Sequence, residues 1–284
     1  MARRCQMSRR MSVARLSLVI LLFACFSLFP LTEKAESQTG FDPKAKTARE
    51  AIEFLVLANR ILANESIFDC FGHVSVRNPE NPKTFFISRA LAPELATKSD
   101  ILEVDFDGNV ITKTAMKPYQ ERIIHAAIYK ARPDVNSVVH AHPAPIIVFS
   151  VLNIPLRPIA HPAARFYQGV PVYDEYDFKS PGNTGMLVTS KEEGDRVAKC
   201  LGKGVAMLMR GHGYNVVGPT VPDLVSNAIS LRDNAVILMA ALQLGKPKYI
   251  SDEEARESSK TYVSPERAWT AWVLRAKKSM PDLR

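Results

Sequence analysis

The chain has 284 residues, 46% of them hydrophobic and 23% charged, with a formal net charge of +8. These proportions exclude a disordered or low-complexity protein, and the length is enough to bury a sizeable core without disulfide staples. After the first forty residues there is no Lys/Arg block and no nucleic-acid motif, so the basic balance does not indicate a nucleic-acid partner.

Residues 1–37 stand apart. "MARRCQMSRRMSVAR" carries five arginines and no acidic residue, and "LSLVILLFACFSLF" (residues 16–29) is an uncharged apolar run. A basic start, a short apolar centre and a small-residue exit at Ala35 and Ser37 describe a secretory signal cleaved after Ser37. The run is short for a membrane span. The segment also fits a degenerate lipidation signal at Cys25 or an uncleaved anchor. Cleavage removes Arg3, Arg4, Arg9, Arg10, Arg15 and Lys34 together with Glu33 and Glu36, which leaves a net charge of +4. The expected location is therefore the periplasm or outside the cell, with no stable membrane association. Of the four cysteines, Cys70 and Cys200 remain. An oxidising compartment permits a bridge between them, but one distant pair gives no framework, and two buried thiols is the simpler expectation.

Residues 38–284 read as one domain with a helical tail from about residue 249. An amphipathic helix spans the region of Ile52, Leu55, Val56 and Leu62. "FGHVSVRN" and "KTFFISR" alternate as two strands of a hairpin. "ILEVDFDGNVI" reads as a third and fourth strand joined at Asp107-Gly108. "PYQERIIHAAIYKARPDV" is a helix with Pro118 in its first turn and a stripe of Ile123, Ile124, Ala127 and Ile128. "NSVVHAH" is a buried strand, and "PAPIIVFSVLN" a helix. "LVTSKEEGDRVAKCLG" ends in a helix closed by Gly202. "GVAMLMRGHGYNVVG" is a strand pair turning at Arg210–Gly213. Residues 220–245 form a long helix, and "SPERAWTAWVLRAKK" a final one. Hairpins with helices between them predict a mixed α/β sheet flanked by helices.

Residues two apart on a strand share a face, so His140 and His142 can reach one ion together. A catalytic zinc-type site needs a third protein ligand. His212, between two glycines at the end of another strand, supplies it. Two satisfied strand histidines are the alternative. Glu121 lies near the start of the helix that leads into the histidine strand. It is either a general acid/base beside the metal or a carboxylate favoured by the helix dipole. His125 shares its face and is either a second-layer group or a packed core histidine.

"ERIIHAAIYKARPDVNSVVHAHPAP" followed by "LMRGHG", with "FGHVSVR" and "FFISR" before them, resembles the class II aldolase/adducin family over roughly residues 45–250. The resemblance implies a three-layer α/β/α sandwich around a mainly antiparallel sheet. It implies His140, His142 and His212 as ligands of one divalent metal, Zn²⁺ first and Mn²⁺ second, with Glu121 as acid/base. It also implies a homotetramer with active sites at subunit interfaces. The departures concern phosphate. Where sugar-phosphate members have Gly-Asn, this chain has Gly72-His73. "SRALAPE" replaces their small-donor loop, and Tyr119-Gln120 precedes Glu121 where they have Ser or Thr. His73, Ser88, Arg89, Tyr119 and Gln120 are therefore candidates for binding a carboxylate substrate. Arg89 suits a planar carboxylate but also fits a solvated turn. His161 and Tyr214 are further pocket candidates; otherwise they are a loop histidine and a core aromatic with a bonded hydroxyl.

"SRALAPE", "ERIIHAAIY" and "RAWTAW" resemble the family's branch of decarboxylases of hydroxylated aromatic or heteroaromatic acids. The implied activity is a metal-dependent C–C lyase acting on a hydroxy- or oxo-carboxylic acid through a stabilised enolate, by decarboxylation first and by retro-aldol cleavage second. A non-catalytic module like the adducin head is disfavoured, because such heads lack the three histidines retained here. A hydrolase draws on nothing beyond the metal.

Overall fold

The computed structural model describes residues 41–176, 178–179, 184–260 and 265–283. The segment read as a signal, residues 1–37, lies outside them. The strands are β1 (His73–Arg77), β2 (Thr84–Ser88), β3 (Ile101–Asp105), β4 (Ser137–Ala141), β5 (Val172–Tyr173), β6 (Ala206–Met209) and β7 (Gly213–Gly218). They form one sheet in the order β3-β2-β1-β4-β7-β6-β5. Every neighbouring pair is antiparallel except β5 and β6.

Helices cover both faces. On one side α1 (Ala48–Asn64), α3 (Ala144–Ser150), α5 (Val221–Leu244) and α7 (Glu266–Ser279) bury Leu55, Ile61, Ile146, Leu224 and Trp269 against Val74, Val76, Val139 and Val216. On the other side α2 (Arg122–Ala131) and α4 (Lys191–Leu201) bury Ile124, Ile128, Val197 and Leu201 against Phe85, Val138 and Val217. This is the expected three-layer α/β/α sandwich with a mainly antiparallel sheet. A further helix, α6 (Asp252–Lys260), precedes α7.

Local chemistry starts the helices. Thr47 and Glu50 form a capping box at α1, and Ser190 and Glu193 do the same at α4. Thr220 caps α5, with Pro222 in its first turn. Each arrangement satisfies amide groups that the first turn leaves without partners.

Register positions the site. His73 is opposite His140, and His140 is opposite Asn215. Because side chains alternate, these three lie in one row across the centre of the sheet, on the face that α2 covers. Val74, Val139 and Val216 point the other way. A one-residue slip of β4 would exchange the two sets.

Several details depart from the sequence reading. Asp107-Gly108 does make a turn, with Gly108 at φ 82°. The return segment is no fourth strand, however, and pairs only at Val104 and Val110. Asp105 Oδ1 accepts from the amides of Asp107 and Asn109 and closes the turn, and the Glu103 amide then donates to the Thr112 hydroxyl, which ends the pairing after one bridge. Helix α2 begins at Arg122; Pro118 lies ahead of it, bridged to Arg89. Strand β5 was not anticipated, and α6 lies within the stretch read as a helical tail from about residue 249. The cysteines are both free: Cys70 is exposed and Cys200 half-buried, so the expectation of two buried thiols fails for Cys70. Among the described residues no helix is long and apolar enough to cross a membrane.

Gly72 leads into β1 with φ 97°, and a Cβ there would meet Phe68 Cδ1 at 2.6 Å and the His140 carbonyl at 2.8 Å. Gly72→Ala therefore combines left-handed strain with a backbone clash at the central strand pair. It is expected to lower the unfolding free energy by about 2 kcal/mol or more, read from the urea midpoint. A loss under about 0.5 kcal/mol would show that the β1–β4 pairing does not depend on this close approach.

Candidate metal centre

His140 is the fixed point of the site. It is fully buried on β4, and its Nδ1 lies 3.0 Å from Asn215 Oδ1. The Asn215 amide nitrogen points at Met207 Sδ (3.5 Å) and Met209 Sδ (3.2 Å). Asn215 oxygen is thus left to accept, so His140 donates from Nδ1 and its Nε2 carries the free lone pair.

That lone pair faces the other candidates. His142, just past the end of β4, brings its Nε2 to 3.0 Å from His140 Nε2. His212 sits in the turn before β7, its ring stacked on His142 with centroids 5.0 Å apart at 12°. The turn needs Gly213, where a Cβ would sit 2.2 Å from the Ala141 carbonyl. Glu121 is the residue before α2, but its side chain does not cap the helix. Instead Oε1 accepts from the Val188 amide at 3.0 Å, and Oε2 lies 3.5 Å from His140 Nε2 and 3.7 Å from His212 Nε2.

Ligand atoms of Glu121, His140, His142 and His212 all fall within 4.8 Å of one another. Four donors around a tetrahedral ion at 2.0–2.1 Å stand about 3.3 Å apart, so the cluster is close to the size an ion requires. No lysine or arginine among the described residues is ion-paired with Glu121. His212 Nδ1 is buried without a hydrogen-bond partner among them, which leaves that ring anchored only through the side facing the cluster. Three imidazoles and a carboxylate suit Zn²⁺, Mn²⁺ and other first-row ions, and the donor set does not choose between them.

The electrostatics keep His142, His212 and Glu121 free of protons. Burial, with the neighbouring imidazoles, lowers His142 to about 4; burial and His140 lower His212 to about 4. Burial alone would raise the Glu121 carboxyl, but His140, His212 and the Val188 amide outweigh it and hold it down at about 2. The lone pairs of His142 and His212 and an ionised carboxylate therefore face one another at neutral pH.

The flanking candidates divide. His73, buried on β1, packs its ring 5.2 Å from His140 and 4.5 Å from Tyr119. The Tyr119 hydroxyl donates to the Leu91 carbonyl, and burial raises its pKa. Ser88 is buried beside that hydroxyl, yet its Oγ makes no hydrogen bond of good geometry with a described residue. Arg89 lies near Tyr119 and pairs with Asp100 through Nε at 2.7 Å. Gln120 is exposed. Two expectations are corrected. Tyr214 points to the opposite face of the sheet from His140, where it is a fully buried core aromatic with its hydroxyl on the Ala228 carbonyl at 3.3 Å. His161 is exposed at the start of a 3-10 turn (His161–Phe166) whose Ala163 and Phe166 pack into the layer beneath α5, away from the metal cluster.

Some groups were missed. Asn215 was signalled only as a polar residue in an apolar strand. The Val188 amide had no signal, since any residue type supplies it. Asp69 Oδ1, 3.9 Å from His142 Nδ1, comes from the turn before β1. Tyr176 lies near enough that the Glu121 charge, together with burial, raises its phenol.

Fold and site together define an α/β/α domain in which the end of β4, the turn before β7 and the residue before α2 bring three histidines and one carboxylate together. Residues 53–239 match the class II aldolase and adducin N-terminal domain, and the chain belongs to that family. It is 32% identical over 236 residues to the decarboxylase tropJ of Talaromyces stipitatus, covering 75% of this chain and 89% of that protein. It is likewise 32% identical over 199 residues to a 3,4-dihydroxyphthalate decarboxylase of Arthrobacter keyseri, covering 65% and 74%. The solved L-fuculose 1-phosphate aldolase from Glaciozyma antarctica matches with a TM-score of 0.71 at 25% identity, over 85% of this chain and 96% of that one. The decarboxylases and aldolases among these relatives are lyases.

The depressed histidines set a pH dependence. His142 and His212 titrate at about 4 and His125 at about 3 in the folded chain, against about 6.5 when unfolded. Between these values the unfolded chain binds protons that the folded chain does not, so stability falls as pH falls, by up to about 1.4 kcal/mol per pH unit for each group. Thermal melts of metal-stripped protein should drop steadily from pH 6.5 to 4. A melting temperature that stays level across this window would contradict the buried, neutral assignment.

Proposed function

We propose that this chain is a divalent-metal-dependent carbon–carbon lyase that decarboxylates a hydroxylated carboxylic acid. His140, His142 and His212 hold the ion, and Glu121 is the acid/base. The observation that carries the reading is the convergence of Glu121 with three imidazoles within 4.8 Å. The names of its decarboxylase relatives support the reaction class.

A bound Zn²⁺ or Mn²⁺ would supply Lewis acidity to the substrate's oxygens. The remaining work belongs to the chain's own groups. Glu121, ionised at neutral pH, accepts the proton of the substrate hydroxyl. It returns that proton to the neighbouring carbon as the bond to the carboxyl carbon breaks. The proton takes up the electron pair left on that carbon, and carbon dioxide departs. Water later restores the hydroxyl proton, so one proton is consumed per turnover. The Val188 amide holds Glu121 through Oε1, which leaves Oε2 toward the histidines.

The pocket wall favours a flat acid over a sugar phosphate. The rings of His73 and Tyr119 pack against each other, centroids 4.5 Å apart and tilted by 44°, and offer aromatic surface against which a substrate ring can pack. The Tyr119 hydroxyl is occupied by Leu91. Retro-aldol cleavage of a non-phosphorylated substrate is the second reading, favoured by the overall likeness to a solved aldolase. It would use the same groups but release an aldehyde.

The test is a panel of hydroxy-carboxylic acids that includes 3,4-dihydroxyphthalate, with carbon dioxide and aldehyde measured separately. Carbon dioxide release equal to substrate loss is expected, from protein holding one ion per chain. Glu121→Gln should keep the ion and lose about 10²-fold or more in kcat, while His140→Ala should fail to retain the ion. Aldehyde without carbon dioxide selects the aldolase reading, and full turnover in Glu121→Gln removes the acid/base.

A further inference from the structure

A file of four buried side chains runs from the core to the pocket. The Tyr129 hydroxyl lies 2.9 Å from Ser75 Oγ, Ser75 Oγ lies 2.6 Å from His125 Nδ1, and His125 Nε2 lies 2.7 Å from His73 Nδ1. Ser75 and His125 are fully buried, with Tyr129 at 1% and His73 at 3% exposure. His73 and Ser75 share one face of β1. His125 and Tyr129 are four residues apart on α2 and so face β1 together. The pocket end of the file is His73, beside Tyr119 and His140. In the chemistry above, Ser75, His125 and Tyr129 touch no reacting atom.

Counting hydrogens gives the file a direction. Burial raises the Tyr129 pKa, so its hydroxyl keeps its single hydrogen. Among the described residues the one acceptor that hydroxyl reaches is Ser75 Oγ. The Val138 amide and the Arg77 guanidinium, 4.8 Å over the ring, direct positive charge at the same oxygen and accept nothing. Tyr129 therefore donates to Ser75; the opposite polarity would bury its hydrogen with no acceptor. Ser75 has one hydrogen of its own, which goes to His125 Nδ1. A neutral His125 then carries hydrogen on Nε2 and donates to His73 Nδ1. A second hydrogen on either ring would set two donors against each other, across the 2.7 Å His125–His73 contact or the 2.6 Å Ser75–His125 contact. The hydrogen of His73 is consequently on Nε2, which bonds to no described residue.

We propose that Tyr129, Ser75 and His125 are positioning residues that lock His73 in its Nε2–H tautomer, and that this donor holds a carboxylate or phenolate oxygen of the substrate beside the metal cluster. The substrate half of the inference rests on the lyase reading; the tautomer half does not. A ring locked as a donor selects an acceptor oxygen and rejects an amine at the same place.

Two measurements test it. In zinc-loaded, ¹⁵N-labelled protein, long-range ¹H–¹⁵N correlations distinguish ring tautomers, with assignments from His73→Gln and His125→Gln. Nε2–H is expected at both rings, and Ser75→Ala should shift His73 to a mixed or Nδ1–H form. An Nδ1–H His73 in the parent protein, or an unchanged tautomer in Ser75→Ala, overturns the lock. The second arm uses whichever hydroxy acid the enzyme decarboxylates. Ser75→Ala should lower kcat/KM by about tenfold. The same change in a His73→Gln background, whose amide donates without any tautomer, should matter less than about twofold. Equal losses in both backgrounds would mark Ser75 as merely structural and overturn the positioning role. Failure of every acid to react would contradict the lyase reading, while the spectra still decide the lock.

Discussion

The antiparallel register of β1, β4 and β7 is the constraint on which the site depends. It places His73, His140 and Asn215 in one row on one face of the sheet. That register is not enforced by the polar groups themselves. Val74, Val76, Val139 and Val216 fill the opposite layer, and exposing any one of them costs about 1.5–3 kcal/mol. Because helices cover both faces, a slip by one residue would turn several of these valines into the polar row under α2 and bury the imidazoles among leucines without hydrogen-bond partners. Ordinary hydrophobic burial thus fixes the geometry of the metal centre, and the polar row inherits its precision from the apolar one behind it.

Helix α2 supplies the second half of the arrangement. The residue before its first turn is Glu121, directed at the histidines instead of the helix amides. One turn on is His125, and a further turn brings Tyr129, both facing β1. One helix thus carries the acid/base and, in our reading, the groups that set the tautomer of a pocket histidine. The electrostatic outcome is consistent along its length. Burial lowers His125 and His212, while the histidines facing Glu121 and the Val188 amide hold its carboxyl down against burial. No cationic side chain among the described residues pairs with that carboxylate, which leaves a divalent ion as the charge that suits it.

Much of the centre was readable from short spacings. His140 and His142 share a face because a strand has period two, and His212 stands out between glycines in a turn. In β7 the same rule misleads: counted from His212 it favours Tyr214, and only the pairing of His140 with Asn215 shows that Asn215 lies on the face of the site and Tyr214 on the other. Other features had no local signal. The Val188 amide is presented by a backbone whose course depends on the tertiary fold. Strand β5 has two residues, too few for a period. Helix α6 buries only Ala255, so its sequence shows no apolar stripe. The turn at Asp107-Gly108 formed as read, but past Val110 the Glu103 amide donates to the Thr112 hydroxyl instead of a backbone carbonyl, which ends the pairing.

Anomalous diffraction from zinc-loaded crystals tests the central claim most directly, because it locates the ion independently of any activity. The account predicts one anomalous peak per chain, about 2.0–2.1 Å from the Nε2 atoms of His140, His142 and His212. A peak elsewhere, or no peak within bonding distance of those three nitrogens in protein shown to carry zinc, would contradict it.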